Sequence, residues 1–239
     1  MSLAIVRLYH DLLGTYGDQG NAEILMHRAR ARSIDVELVE VTPGMPVPRS
    51  GDIYLLGGGE DGPQAAALEM LKQDGGLAYA AAGGATVLAI CAGFQIIGET
   101  LPDSDGSATS GLGLVDAHTS YDSSPRSVGE IVVEPTRGGL PVLTGFENHQ
   151  GLTRLGSEMP PLGLVISGVG NGLNDWHTHA QEGVWHGNVF GTYMHGPVLA
   201  RNPELADAVL QCAAGPLRPF DDPLANALAR ERRSTLTGR

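Results

Sequence analysis

The chain has 239 residues, of which 42% are hydrophobic and 18% charged, a composition ordinary for one large globular α/β domain or two small ones with a sizeable core. A formal net charge of −12 argues against a nucleic-acid backbone or an anionic membrane surface as partner, since both would repel it. Two cysteines make no disulfide framework, the apolar start is broken by Arg7 and Asp11, and no window suits a bilayer, so the expectation is a soluble cytoplasmic protein with reduced thiols.

Residues 3–9, "LAIVRLY", read as a buried strand, followed by a glycine-rich loop and a helix over 21–32. The alternating run 35–41 predicts a second strand, and 52–59 a third that ends in glycines. The Ala/Leu-rich stretch 63–82 predicts one helix, with Pro63 suited to its first turn. A fourth strand follows at 85–90. Strands alternating with helices over the first hundred residues predict a mostly parallel, doubly wound sheet with flanking helices.

From Gly111 to His149 the pattern changes to short strands and turns, which predicts an antiparallel extension beside the parallel core. Residues 184–197 suggest a hairpin turning at "WHGN", whose second strand delivers His195. Residues 202–213 read as a helix with Cys212 on its apolar face. The expected organisation is one domain over 1–215 and a tail over 216–239 that is extended or marginally helical.

The run "VLAICAGFQIIG" (87–98) carries a strand into Cys91, then through Ala92 and Gly93 into a helix. That is the layout of a nucleophile elbow, where small neighbours permit a tight turn and the side chain is lifted out at the carboxyl end of a strand. A helix amino terminus beside the thiol favours its thiolate, and the Ala92 N–H points where an oxyanion would form. A lone cysteine is equally a small buried apolar residue. Two other stretches favour chemistry. "LLGGGED" (55–61) puts a glycine loop at another strand end, where Gly58 or Gly59 offers a second oxyanion N–H. "FGTYMHGP" (190–197) brings His195 to a strand end, and a distant Cys–His pair so placed suits thiol acyl transfer.

In order and spacing, "GGGED", "ICAGFQIIG" and "TYMHGP" resemble the class I, triad-type glutamine amidotransferases, most closely the CobB/CobQ-like branch. The resemblance spans about residues 3–215. It implies a flavodoxin-like sheet, Cys91 as nucleophile, His195 as general acid and base, and L-glutamine as substrate. Arg126 would hold the substrate α-carboxylate, which a guanidinium does bidentately, and Gln95 would line the pocket or serve packing. Many class I members read His-Pro-Glu, the Glu orienting the histidine; this chain reads His195-Gly196-Pro197, as the branch does, so the third triad member is open among Glu147, Asp175 and Glu182.

No phosphate-binding G-x-x-x-x-G-K-[ST] loop is present, so no cofactor is expected in this chain and ATP is expected on a separate synthetase subunit. Further stretches ("YHDLLGTYGDQGN", "PRSVGEI", "GFENHQGLT") are similar to glutaminase subunits that work with a MurT-like Mur ligase. The resemblance thus implies a heterodimer amidating D-glutamate in the peptidoglycan stem peptide. An acceptor from the cobalamin pathway is the alternative. His177 and His179 beside Asp175 are expected to be solvated rather than metal ligands.

Overall fold

The computed structural model describes residues 2–103, 107–123, 125–137, 139–172 and 180–238. In the first half, β1 (Ser2–Leu8), β2 (Asp35–Val41), β3 (Ile53–Leu56) and β4 (Thr86–Ile90) alternate with helices α1 (Gly20–Arg30), α2 (Asp61–Asp74), α3 (Gly76–Ala82) and α4 (Ala92–Ile97). Every residue of β3 and β4 is buried, as expected of central parallel strands covered on both faces, while β2 alternates as an edge strand.

The stretch predicted as one helix over 63–82 is two helices. Gly75 sits between them at φ 69, in the left-handed region, and ends α2 while starting α3 at a new angle. The middle of the chain forms β5 (Thr100–Pro102), β6 (Ala108–Ser110), β7 (Ala117–Ser120), β8 (Ser127–Pro135), β9 (Leu143–His149), β10 (Leu152–Leu155), β11 (Gly163–Ser167) and β12 (Gln181–Glu182). The last strands are β13 (Val184–His186) and β14 (Val189–Thr192), followed by α5 (Val198–Arg201), α6 (Pro203–Ala214) and α7 (Pro223–Thr237).

The main sheet runs β13-β14-β4-β3-β1-β2, with β13 alone antiparallel. Two four-stranded sheets flank it, β10-β7-β5-β6 and the antiparallel β12-β11-β8-β9. This arrangement lines up four adjacent parallel strands, β14, β4, β3 and β1, so the loops leaving their carboxyl ends open onto one place. Open α/β sheets put their sites in that position.

The predicted hairpin is shorter than its sequence suggested. β14 stops at Thr192: the next two backbone N–H groups, of Tyr193 and Met194, donate to Glu182 Oε1 at 2.9 Å and to the Thr192 hydroxyl at 3.0 Å instead of continuing the ladder. His195 lies beyond the strand and is held by a separate antiparallel bridge to Phe146.

The tail, expected to be extended or marginally helical, carries the helix α7 over Pro223–Thr237. Arg28 of α1 and Arg32 in the turn after it, both buried, converge on Asp207 of α6 at 2.6–2.7 Å. Arg32 also donates to the Arg218 carbonyl at 2.7 Å, and both guanidinium groups lie over the Phe220 ring at 5.4 and 5.1 Å. Asp222 then caps α7 by accepting from Ala225 N–H, with Pro223 at the first helical position. No helix among the described residues is long and apolar enough to cross a membrane.

Candidate active site

Cys91 leaves β4 at φ 52, ψ −107, a backbone state rare for any residue with a side chain, and α4 begins at the next residue. The turn survives because its neighbours are small: a Cβ on Gly93 would meet Leu56 Cβ at 2.8 Å and two backbone oxygens at 3.0–3.1 Å. Ala92 is the first residue of α4, so its N–H has no acceptor inside the helix.

His195 is 1% exposed and its backbone is pinned to Phe146 by hydrogen bonds of 2.8 and 3.2 Å. Its Nδ1–H donates to Asp18 Oδ2 at 2.9 Å. Asp18, 4% exposed, comes from the loop after β1, and its Oδ2 also accepts the Gly58 N–H at 2.9 Å. The three side chains meet over Gly58: a Cβ there would lie 2.6 Å from His195 Cε1, 3.3 Å from Asp18 Oδ2 and 3.4 Å from Cys91 Cβ. Burial alone would lower the His195 pKa, but the Asp18 hydrogen bond and charge and the neighbouring Cys91 outweigh it and push it up to about 10. Its Nε2 makes no hydrogen bond to the described residues.

Asp18 therefore occupies the place of the orienting carboxylate, which the sequence reading left among three others. Glu147 accepts from the N–H groups of Val169 and Gly170 at 2.9 Å, and Glu182 accepts from the Thr192 hydroxyl and from Tyr193 N–H. Burial raises Glu182 to about 7, against the opposing effect of those hydrogen bonds. Neither contacts His195. Asp175, His177 and His179 lie outside the described residues.

Gly58 is also corrected as an oxyanion donor, because its N–H is taken by Asp18. Gln95 lies behind the elbow rather than facing an opening. Its Oε1 accepts from Gln64 at 2.7 Å and its Nε2 donates to Tyr193 OH at 3.2 Å, in a buried chain that continues to Thr153 and Thr119. Cys212 is half-buried and packs against the core, where burial raises its thiol pKa.

The mouth of the site is polar. Arg126 is exposed and donates through Nε to Asn148 Oδ1 and through Nη2 to the Asn148 carbonyl at 3.1 Å. The same carbonyl lies 4.0 Å from Cys91 Sγ, which places the guanidinium and the thiol on one opening. No carboxylate among the described residues pairs with Arg126. Tyr121 donates to Asp61 at 3.2 Å nearby, its phenol pKa raised first by burial. Sequence reasoning missed Asp18, Tyr16 and Asn148. Only the glycine-flanked loop after the first strand hinted at the first two.

Fold and site together define a class, the open α/β sheet that pairs a cysteine elbow with a histidine just past the neighbouring strand, as triad glutamine amidotransferases do. The CobB/CobQ-like glutamine amidotransferase domain matches residues 4–203, and the chain belongs to that family. It is 37% identical over 214 residues to the glutamine-hydrolyzing subunit GatD of lipid II isoglutaminyl synthase from Staphylococcus aureus (strain N315), covering 88% of this chain and 84% of that one. The subunit of the same name from Streptococcus pneumoniae (strain ATCC BAA-255 / R6) is 34% identical over 240 residues, covering 96% and 90%. A cobyric acid synthase from Novosphingobium aromaticivorans is 31% identical over 187 residues, covering 73% of this chain but 34% of that protein. Among solved structures, the glutaminase domain of Trypanosoma brucei CTPS with bound acivicin aligns at a TM-score of 0.49 and 12% identity, over 92% of this chain and 96% of that one.

Proposed function

We propose that this chain hydrolyses L-glutamine and hands the ammonia to a separate MurT-like, ATP-dependent ligase, which amidates the D-glutamate of lipid II to D-isoglutamine. The observation that carries the glutaminase reading is the buried His195, held by Asp18 on one nitrogen and free on the other, beside a thiol at a strand-end elbow. The two relatives from lipid II isoglutaminyl synthase support the acceptor, since each matches most of its length. The cobyric acid synthases match over about a third of theirs, which makes the cobalamin-type acceptor the weaker reading.

In this mechanism the Cys91 thiolate attacks the carboxamide carbon of glutamine. The oxyanion accepts the Ala92 N–H, with the Gly59 N–H the remaining candidate for a second donor, each worth about 3–4 kcal/mol in comparable acyl-transfer sites. His195, protonated on both nitrogens, gives its Nε2 proton to the departing amine, and ammonia leaves. The neutral imidazole then takes a proton from water, whose hydroxide oxygen attacks the glutamyl thioester; the C–S bond breaks, glutamate is released, and the thiolate and the protonated His195 are regenerated. Asp18 fixes the Nδ1–H tautomer throughout. Arg126 holds the α-carboxylate.

The deciding experiment measures ammonia release from glutamine, and amidation of lipid II, with the chain and its ligase together. Glutamine-dependent amidation that disappears in Cys91→Ser, and returns when ammonia is supplied, is the expected result. Glutamine-driven amidation surviving in Cys91→Ser overturns the reading.

A further inference from the structure

We propose that Asn148 is a positioning residue that fixes the substrate-binding Arg126 relative to the triad, with Tyr16 as its second contact; this rests on the glutaminase reading. Asn148 lies on β9, two residues after Phe146, whose backbone pins His195. Its side chain uses both ends. Oδ1 accepts Arg126 Nε, and Nδ2 donates to the Tyr16 hydroxyl. Its carbonyl accepts Arg126 Nη2 at 3.1 Å and stands 4.0 Å from Cys91 Sγ.

Tyr16 closes the circuit. Its ring packs against the His195 ring at 4.9 Å between centroids and against Phe146 at 6.1 Å. It is held at φ 59, a conformation that a bulky residue adopts only when its surroundings impose it. Asn148 is therefore the residue that touches the arginine, the tyrosine on the histidine, and the space beside the thiol. An exposed arginine has many rotamers and loses them at a cost when it clamps a carboxylate. The two contacts to Asn148 engage two of its five N–H donors, so the guanidinium is already oriented when the substrate arrives.

The ligand class that this arrangement selects is an α-amino acid amide, read by its carboxylate as well as its carboxamide. Steady-state glutamine hydrolysis by the chain with its ligase, in wild type, Asn148→Ala, Asn148→Asp and Tyr16→Phe, tests this. It is paired with the rate at which iodoacetamide, which carries no carboxylate, alkylates Cys91. Asn148→Ala is expected to raise KM for glutamine about tenfold or more, with kcat and the alkylation rate changed less than about threefold. Asn148→Asp is expected to raise KM further, because its carboxylate would compete with the substrate for Arg126. Tyr16→Phe keeps the ring on His195 and loses only the hydroxyl, so a KM increase of a few-fold is expected.

A merely structural asparagine predicts otherwise: Asp tolerated as a new ion pair, or kcat, KM and alkylation all disturbed together. Either result overturns the inference, as does an unchanged KM in Asn148→Ala. Wild type that hydrolyses no glutamine sinks the glutaminase reading and this inference with it, whereas hydrolysis with an unchanged KM sinks this inference alone.

Discussion

The groups proposed to react and those proposed to bind the substrate come from different sheets, and they are built differently. Cys91, Asp18 and Gly58 leave the carboxyl ends of parallel strands and are shut into the core, where Asp18 holds both His195 and the Gly58 N–H at 2.9 Å. Arg126 and Asn148 come from the antiparallel β8–β9 pair, sit near solvent, and depend on one another for orientation. His195 bridges the two, following β14 but pinned to β9. Buried groups gain strong electrostatics from low dielectric, whereas exposed groups gain the freedom to admit and release a ligand. Changes on the first side are expected to act on kcat, and changes on the second on KM.

Cys91→Ser makes the largest break. Glutamine hydrolysis should fall on the order of 10⁴-fold or more, with an unchanged thermal transition to show that the fold is intact. Next comes Asp18→Asn, which keeps the shape but loses the charge that holds His195 protonated. Its kcat should fall on the order of 10³-fold, with KM nearly constant, read from initial rates across pH.

That variant also has a pH signature in stability. The His195 pKa is raised from 6.5 to about 10, so its contribution is full below 6.5 and is lost as pH rises through about 10. Denaturant titrations should show wild type losing stability across that window, and Asp18→Asn losing less. Equal slopes would mean that the Asp18–His195 pair is not the ionic element described.

On the recognition side, Arg126→Ala should raise KM about 10- to 100-fold, the loss expected for a charge-assisted pair, and leave kcat within a few-fold. A kcat collapse there would dissolve the division between the two sheets. The smallest effect belongs to the scaffold. Phe220→Ala should lower unfolding free energy by about 1–3 kcal/mol through its two guanidinium contacts, with kcat and KM unmoved.

The parallel half was legible because its signals are local. Uninterrupted apolar runs mark β3 and β4, and the small pair Ala92–Gly93 after Cys91 is itself the requirement of the elbow. Asp18 was not legible, because nothing about an aspartate in a glycine-flanked loop says that it will reach a histidine 177 positions away. The same holds for Asn148, whose role depends on partners from two other segments. Gln95 stayed open between pocket lining and packing because one turn into a helix fixes a direction but not what stands there, and here Gln64 and Tyr193 do. The tail was underestimated for a different reason. Its Pro/Asp-rich lead-in reads as a break, yet Asp222 and Pro223 form a helix start, and the buried Arg28 and Arg32 with the half-buried Asp207 that anchor it lie far away in sequence.

The positive φ of Cys91 has a consequence for how such a site persists. A residue with a Cβ at φ 52 lies in a backbone region that glycine enters without penalty, at a cost on the order of 1–3 kcal/mol. Cys91→Gly should therefore be inert yet fold more tightly than Cys91→Ala. Left to drift under selection for folding alone, this position would slide towards glycine. The sulfur stays only where its chemistry is in demand.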